Sequence, residues 1–303
     1  MELKKIGVVA RGNDENAHKL AANLARKCVA EGIEPSLSVD SLKTIPEDKS
    51  ALAHMPELAT KTLDKIGEEA DVCIVLGGDG TFLAAAEGLY GATNCPLVGV
   101  NLGHLGFLTD ISVESVETLL TDLREDKFKP HTRDYYVATL CDAEEKCWQQ
   151  PFLNDAVIQR NADEKMVRFE VDSGKWRVAT ARADGLIIAT PTGSTAYNLS
   201  TGGPIMHPNI DALVIAPICP HNLAFRPVVV PTKDIHVKLI NQGHLSIDGR
   251  NYHVMNPGDT VRIEKSEHVL KTLVHQDYNF FDVLRAKFGW DRSLQTNGEP
   301  SSG

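Results

Sequence analysis

Cysteine is sparse and positive charge is in deficit. The six cysteines are Cys28, Cys73, Cys95, Cys141, Cys147 and Cys219, and no two of them form a CxxC pair. That spacing excludes the common zinc and haem motifs. The expectation is free thiols, buried or incidental, in a reducing compartment. Lys plus Arg number 31 against 41 Asp plus Glu, for a formal net charge of -10. A general nucleic-acid binder carries a basic balance or a basic stripe, so no nucleic-acid partner is expected. A local basic pocket for an anionic ligand stays compatible with this balance. No apolar run is long enough to span a bilayer. The opening "MELKKIGVVARG" moves from a short polar start into a strand-like run, without a signal-peptide apolar region. We therefore expect a cytoplasmic protein with no membrane partner.

What is present is ordinary globular material. The chain has 303 residues, 42% hydrophobic and 24% charged, enough for two domains or one large one. In the first third, strand-like runs alternate with helical periodicity. "KKIGVVAR", "EPSLSVD", "DVCIVLGGDG" and "CPLVGVNLG" read as strands. "ENAHKLAANLARKCVAEG", "PELATKTLDKIGEEA" and "TFLAAAEGLYG" read as helices. Continuous apolar strands alternating with helices indicate a parallel sheet covered on both faces. After the helix "SVESVETLLTDLRED" the pattern changes to short strand-like runs separated by Gly, Asn, Asp and Pro turns. The fold class is thus an α/β N-terminal domain with a parallel, Rossmann-like sheet, followed by a β-rich C-terminal domain of β-sandwich type. The expected boundaries are 1–125 and 126–275. A helix in "YNFFDVLRAKFGW" begins a C-terminal segment, 276–303, that returns to the first domain.

"LGGDGT" occupies the end of a buried strand and the start of a helix. Open α/β sheets bind ligands at such a crevice. Gly77, Gly78 and Gly80 would permit positive φ and a close approach of backbone N–H groups to phosphate. Asp79 is repelled by phosphate, but a carboxylate there suits a hydroxyl that attacks a phosphoryl group. For an isolated GDG, an Asp-Gly turn without chemistry is the better explanation. "NLGHLGFLTD" places His104 and Phe107 at a second strand end on the same sheet. In "FLNDAVIQR", Asn154 and Asp155 offer donors and acceptors to ribose hydroxyls, or form an Asx turn. "ADGLIIATPTGSTAYNLSTGGP" packs hydroxyls among glycines, which suits a polar, phosphate-bearing ligand that Tyr197 could stack upon. "PHNLAFRP" puts His221 and Arg226 between proline turns, and "IDGR" is a hairpin signal.

In that order these motifs resemble the ATP-dependent NAD kinase family, over most of residues 5–285. GGDGT alone marks a superfamily shared with lipid and sugar-phosphate kinases. "TPTGSTAYNLSTGGP" with "NLGHLGFL" carries the specific resemblance. It implies transfer of the γ-phosphoryl group of ATP, with Mg2+, to the 2′-hydroxyl of the adenosine ribose of NAD, giving NADP. By resemblance, Asp79 is the general base and Gly77, Gly78, Gly80 and Thr81 admit phosphates. Asn154, Asp155, Asp184, Ser194, Thr195, Ala196, Tyr197 and Ser200 fall on the family's NAD contacts. Arg182 stands where members that prefer NAD over NADH carry a basic residue; a surface strand charge is the plainer reading. The acidic partner of the family's Asn is commonly Glu, and Asp155 is one methylene shorter. No protein metal site is announced, so Mg2+ is expected to arrive on ATP. The resemblance implies a homodimer or homotetramer. Another GGDGT-type kinase, with a lipid or sugar-phosphate acceptor, or a non-enzymatic dinucleotide-binding protein are the alternatives. No membrane-binding basic amphipathic helix supports the lipid kinase.

Overall fold

The computed structural model describes residues 2–42, 58–92, 94–103, 105–161 and 165–290. His104 lies outside the described residues. The chain divides into two compact units. One runs up to Thr132 and resumes at Lys271; the other is Arg133–Leu270.

The first unit begins with β1 (Lys5–Ala10), α1 (Glu15–Ala30), β2 (Glu34–Ser38), β3 (Ala59–Lys61), α2 (Leu63–Glu69) and β4 (Val72–Gly77). It continues with α3 (Asp79–Gly88), β5 (Leu97–Asn101), β6 (Ile111–Ser112) and α4 (Val116–Arg124). Asp14 caps α1 by accepting the N–H groups of Asn16 and Ala17, and Gly32 follows its end at φ +76°. All six residues of β4 are buried, as a strand covered on both faces requires. The strand order is β3-β2-β1-β4-β5-β6, with every pair parallel. The order reverses between β1 and β4, and the carboxyl end of β4 is Gly77, where GGDGT begins. An open α/β sheet receives its ligand outside such a switch point. One detail differs from the sequence reading. "PELATKTLDKIGEEA" was expected to be one helix, but Ala59–Lys61 pairs with Ser36–Ser38 as an edge strand. The gain from that ladder overrides the helical periodicity of a short segment.

The second unit takes up β7 (Phe128–Cys141) at Arg133. β8 (Cys147–Phe152), β9 (Asp155–Gln159), β10 (Val167–Ser173), β11 (Trp176–Ala183) and β12 (Gly185–Ala189) follow. After the short helical turn α5 (Tyr197–Ser200) come β13 (Ala212–Ile218), β14 (Val228–Pro231), β15 (Ile235–Leu239), β16 (Gly243–Ile247), β17 (Arg250–Met255) and β18 (Thr260–His275). One sheet has the order β14-β13-β12-β9-β16-β17, antiparallel throughout. The other holds β11-β10-β15-β18, also antiparallel. Ile158, Ile188 and Leu245 of the first sheet and Phe169, Val237 and Ile263 of the other share one core. This is the expected sandwich. Val157, Ile187 and Val214 point the opposite way and pack with Met206. The stretch carrying GSTAY therefore folds over the outer face of β9, β12 and β13.

The thiol expectation fails at one place. Cys141 and Cys147 are directly opposed across β7 and β8, with Cα atoms 4.2 Å apart, and form a disulfide. Six residues of separation looked unremarkable along the chain, but a tight hairpin turns it into cross-strand contact. Cys28, Cys73 and Cys95 are free and buried, and Cys219 is free and exposed. After β18 the chain ends its described part with α6 (Phe280–Phe288) in the first unit. Phe280 and Phe288 of α6 lie 6.4 and 6.0 Å from the ring of Phe107.

Candidate active site

In the first unit, GGDGT and the segment after β5 meet at Asp79. Its carboxylate accepts the backbone N–H groups of Phe107 (3.0 Å), Leu108 (3.1 Å) and Thr109 (3.2 Å), and the Thr109 hydroxyl (3.1 Å). Oδ1 takes three of these bonds and Oδ2 one, so Oδ2 keeps an open acceptor position. The two motifs thus form one rim at the switch point. Gly106 makes the approach possible: a Cβ there would collide with Asp79 Oδ1 and with the Thr109 hydroxyl.

The three glycines of the motif serve differently than expected. None of Gly77, Gly78 or Gly80 has a positive φ. Gly77 is required by packing, because a Cβ would collide with the Thr81 side chain. At Gly78 and Gly80 a Cβ would meet nothing within 4 Å. What these two provide is open space over the start of α3, which no side chain caps. A helix N-terminus left clear in this way favours an anion.

In the second unit the predicted residues cluster along β9. Asp155 is buried at 4% exposure. Burial, and then the nearby Asp248 carboxylate, push its carboxyl up to about 7, while the Tyr197 backbone N–H draws it part-way back. Tyr197, 39% exposed, accepts a hydrogen bond on its hydroxyl from Gln159 Nε2 at 3.1 Å. It thus links both ends of β9. Next to Gln159, Arg160 pairs with Asp184 at 3.2 Å, and its N–H donates to the Asp184 carbonyl. Asn154 holds the base of the GSTAY turn, its carbonyl accepting from Thr190 N–H at 2.9 Å. Gly193 presses so closely on the Asn154 backbone that any Cβ would collide with it. Ser194 is fully buried, and its hydroxyl donates to the carbonyls of Pro191 and Met206 and accepts the Met206 N–H. Its observed work is to fold the loop. Thr195 bonds the Thr192 carbonyl, Ala196 is half-buried and Ser200 is exposed.

Three residues escaped the sequence reading. Asp248 was taken for hairpin chemistry only. It does sit in the expected two-residue turn, with φ +49° at Asp248 and +70° at Gly249. Its carboxylate, however, accepts the N–H groups of Leu153 (3.0 Å), Asn154 (2.8 Å) and Asp155 (3.0 Å). Its own N–H returns a bond to the Asp155 carbonyl at 2.9 Å. Gln159 and Arg160 were hidden at the polar end of an apolar strand, and that change of polarity was the available signal. Arg182 is not gathered with these groups: it lines a separate cavity beside His221. Among the described residues, no group of three or more His, Cys, Asp or Glu side chains is placed to hold a metal ion. No described helix is long and apolar enough to cross a membrane.

Comparison with known proteins gives a consistent picture. Residues 6–128 match the family model of the ATP-NAD kinase N-terminal domain, and residues 153–275 match that of the ATP-NAD kinase C-terminal domain. An NAD kinase of Pseudomonas fluorescens is 34% identical over 307 residues, covering 98% of this chain and 99% of that protein. An NAD kinase of Pseudomonas putida is 38% identical over 251 residues, covering 80% of this chain and 83% of its own. Among solved structures, yeast NADH kinase complexed with NADH superposes with a TM-score of 0.85 at 20% identity, over 99% of this chain and 90% of that one. An NAD kinase from Archaeoglobus fulgidus in complex with ATP gives 0.69 at 22% identity, over 93% and 99%. At such identities the two structures speak for the fold alone.

Proposed function

Because the chain belongs to the ATP-NAD kinase family, we propose that it transfers the γ-phosphoryl group of ATP to the 2′-hydroxyl of the adenosine ribose of NAD, giving NADP and ADP. The observation that carries this is the full-length match to an NAD kinase in a chain that keeps the GGDGT carboxylate and the GSTAY loop. Neither a lipid or sugar-phosphate acceptor nor a purely binding role finds comparable support.

In this reading the 2′-hydroxyl attacks the γ-phosphorus as its proton passes to Asp79, and ADP leaves. Positioning and charge neutralisation supply most of such a rate enhancement. Gly78 and Gly80 leave room for phosphate at the start of α3, and Gly77 makes room for the Thr81 side chain beside it. The acceptor position that residues 107–109 leave open on Asp79 Oδ2 takes the proton. We assign NAD recognition to the β-rich domain, residues 126–275. Asn154, Asp184, Tyr197 and Ser200 are its accessible polar contacts, joined by Thr195 and Ala196. Asp155 and Ser194 hold the loop that presents them. Arg182 is assigned to discrimination between NAD and NADH.

Mg2+ would neutralise charge on the ATP phosphates. The described carboxylates do not amount to a protein cage for it, so we infer that it enters with ATP. A homodimer or homotetramer in the cytoplasm completes the reading. The test mixes the protein with ATP, Mg2+ and NAD and follows NADP with an NADP-specific dehydrogenase. Absence of NADP at high protein concentration would reject the kinase reading.

A further inference from the structure

Phe107 holds a particular place at the GGDGT rim. Among the described residues, its N–H is the single hydrogen-bond donor to Asp79 Oδ2, at 3.0 Å. The bonds from Leu108 and Thr109 all go to Oδ1. The Phe107 amide therefore sets the direction of the acceptor position that Oδ2 keeps open. Phe107 lies in a bend between β5 and β6, outside either strand, so its placement depends on what packs against its ring. That packing comes from α6. Helical spacing puts Phe280, Leu284, Lys287 and Phe288 on one face. Phe280 and Phe288 lie at 6.4 and 6.0 Å from the Phe107 ring, within the usual range of aromatic pairs. Lys287 Nζ stands over the same ring, 4.7 Å from its centroid, where an ammonium is attracted to the π face. Both ends of α6 are closed. Asn279 accepts the Phe281 N–H at 3.0 Å, and Gly289, at φ +65°, donates its N–H to the Arg285 carbonyl at 2.8 Å. Lys287 stands in the last turn, where the helix end favours a cation.

We propose that Lys287 is a positioning residue for phosphoryl transfer. Through the Phe107 ring it holds the Phe107 N–H on Asp79 Oδ2, and so aims the base at the proton of the attacking hydroxyl. The ammonium fixes one face of the ring, and Phe280 and Phe288 fix its flanks. The ring is joined to its own amide through one Cβ, so a ring that cannot shift keeps the amide in place. Removing the ammonium lets the ring and the amide move together, and Oδ2 loses the fixed direction that transfer requires. In this role Lys287 touches neither NAD nor ATP, so its effect falls on kcat. The consequence for turnover rests on the kinase reading; the contacts of α6 with Phe107 do not.

The test compares the full chain as wild type, Lys287→Met, Lys287→Arg, Asp79→Asn and the double variant Asp79→Asn/Lys287→Met. Lys287 is exposed, and a thermal melt of each variant checks that it folds. We expect Lys287→Met to lower kcat about threefold to tenfold, the scale of one cation–π contact. The KM for NAD and the KM for ATP should each stay within about twofold, the split expected of an interaction needed only in the transition state. Lys287→Arg keeps a cation that can lie over the ring and should restore kcat to within about twofold of wild type. Adding Lys287→Met to Asp79→Asn should leave the residual turnover unchanged, which a general loosening of the unit would not do. Hydrogen exchange at the Phe107 amide, followed by NMR, should be faster in Lys287→Met than in wild type. Wild-type kcat in Lys287→Met overturns the proposal. So does a KM for ATP that rises with the loss, because Lys287 would then be a phosphate contact. A further loss in the double variant overturns it too, because the effect would not run through Asp79. A wild type that makes no NADP, with Phe107 exchange still quickened by Lys287→Met, would reject the kinase reading and keep the link from Lys287 to the Asp79 rim.

Discussion

The Asp248 carboxylate accepts the backbone N–H of Asn154 at 2.8 Å, joining residues 94 apart in the chain. With the bonds from Leu153 and Asp155 it fixes three successive amides at the start of β9. Asn154 in turn supports the GSTAY turn through its carbonyl. One side chain in a hairpin therefore sets the backbone on which the proposed NAD contacts stand.

Replacing it should be costly. Asp248→Ala leaves three backbone donors without their acceptor, and each buried orphan costs about 1–3 kcal/mol. We expect a loss of several kcal/mol in urea denaturation and a raised KM for NAD in whatever folds. An unchanged urea midpoint would mean that water replaces the carboxylate at no cost.

Asp155 makes stability depend on pH. Its carboxyl is pushed up to about 7, first by burial and then by Asp248, from an ordinary value of about 4. The folded form thus binds the proton more tightly than the unfolded one. That contribution is fully present below about pH 4 and is lost as pH rises to about 7, above which it is flat. Burial also pushes the Asp248 carboxyl up, in the same direction, against its three N–H donors. The effect is on the order of a few kcal/mol. Asp155→Asn should flatten the fall in urea midpoint between pH 5 and pH 8. Parallel wild-type and mutant profiles would contradict this.

Much of this was legible in the residues themselves. A carboxylate among glycines at a strand end, and hydroxyls crowded between PTG and TGGP, are unusual enough to be noticed locally. Asp248 is not, because DG reports only on its own turn. Its acceptor role exists only because β16 pairs with β9, with Ile247 opposite Ala156. β3 was obscured by its three-residue length, and the Cys141–Cys147 contact by dependence on hairpin register. In each case the missing information is tertiary proximity, which local periodicity does not carry.

The disulfide itself is open to test. Protein purified without reductant and then denatured should be alkylated at Cys28, Cys73, Cys95 and Cys219 alone. After reduction, Cys141 and Cys147 should react as well. Closing so short a loop stabilises by roughly 2 kcal/mol, so reductant should lower the urea midpoint slightly. A cytoplasmic enzyme would meet glutathione and thioredoxin, which keep such bonds open. Protein trapped by alkylation at lysis should therefore carry six modified thiols. Four in the trapped sample would argue against the cytoplasmic assignment.

The base role of Asp79 can be separated from its structural role. Asp79→Asn keeps an oxygen for Leu108 and Thr109 but turns an amide nitrogen toward the Phe107 N–H, a donor facing a donor. It also removes the proton acceptor. General-base catalysis contributes typically 10²–10⁴-fold, and a loss of about that size in kcat is expected, with the Kd for NAD little changed. Gly106→Ala reaches the same carboxylate from outside, since its Cβ would collide with Asp79 Oδ1. It should lower kcat with similarly little effect on NAD binding. Gly103→Ala is the control in the same segment, because a Cβ there meets nothing within 4 Å. If both active changes act through the one carboxylate, the double variant Asp79→Asn/Gly106→Ala should be no slower than Asp79→Asn alone. Near-wild-type turnover in Asp79→Asn would remove the base. Additive losses in the double variant would instead place Gly106 in a separate part of the machinery.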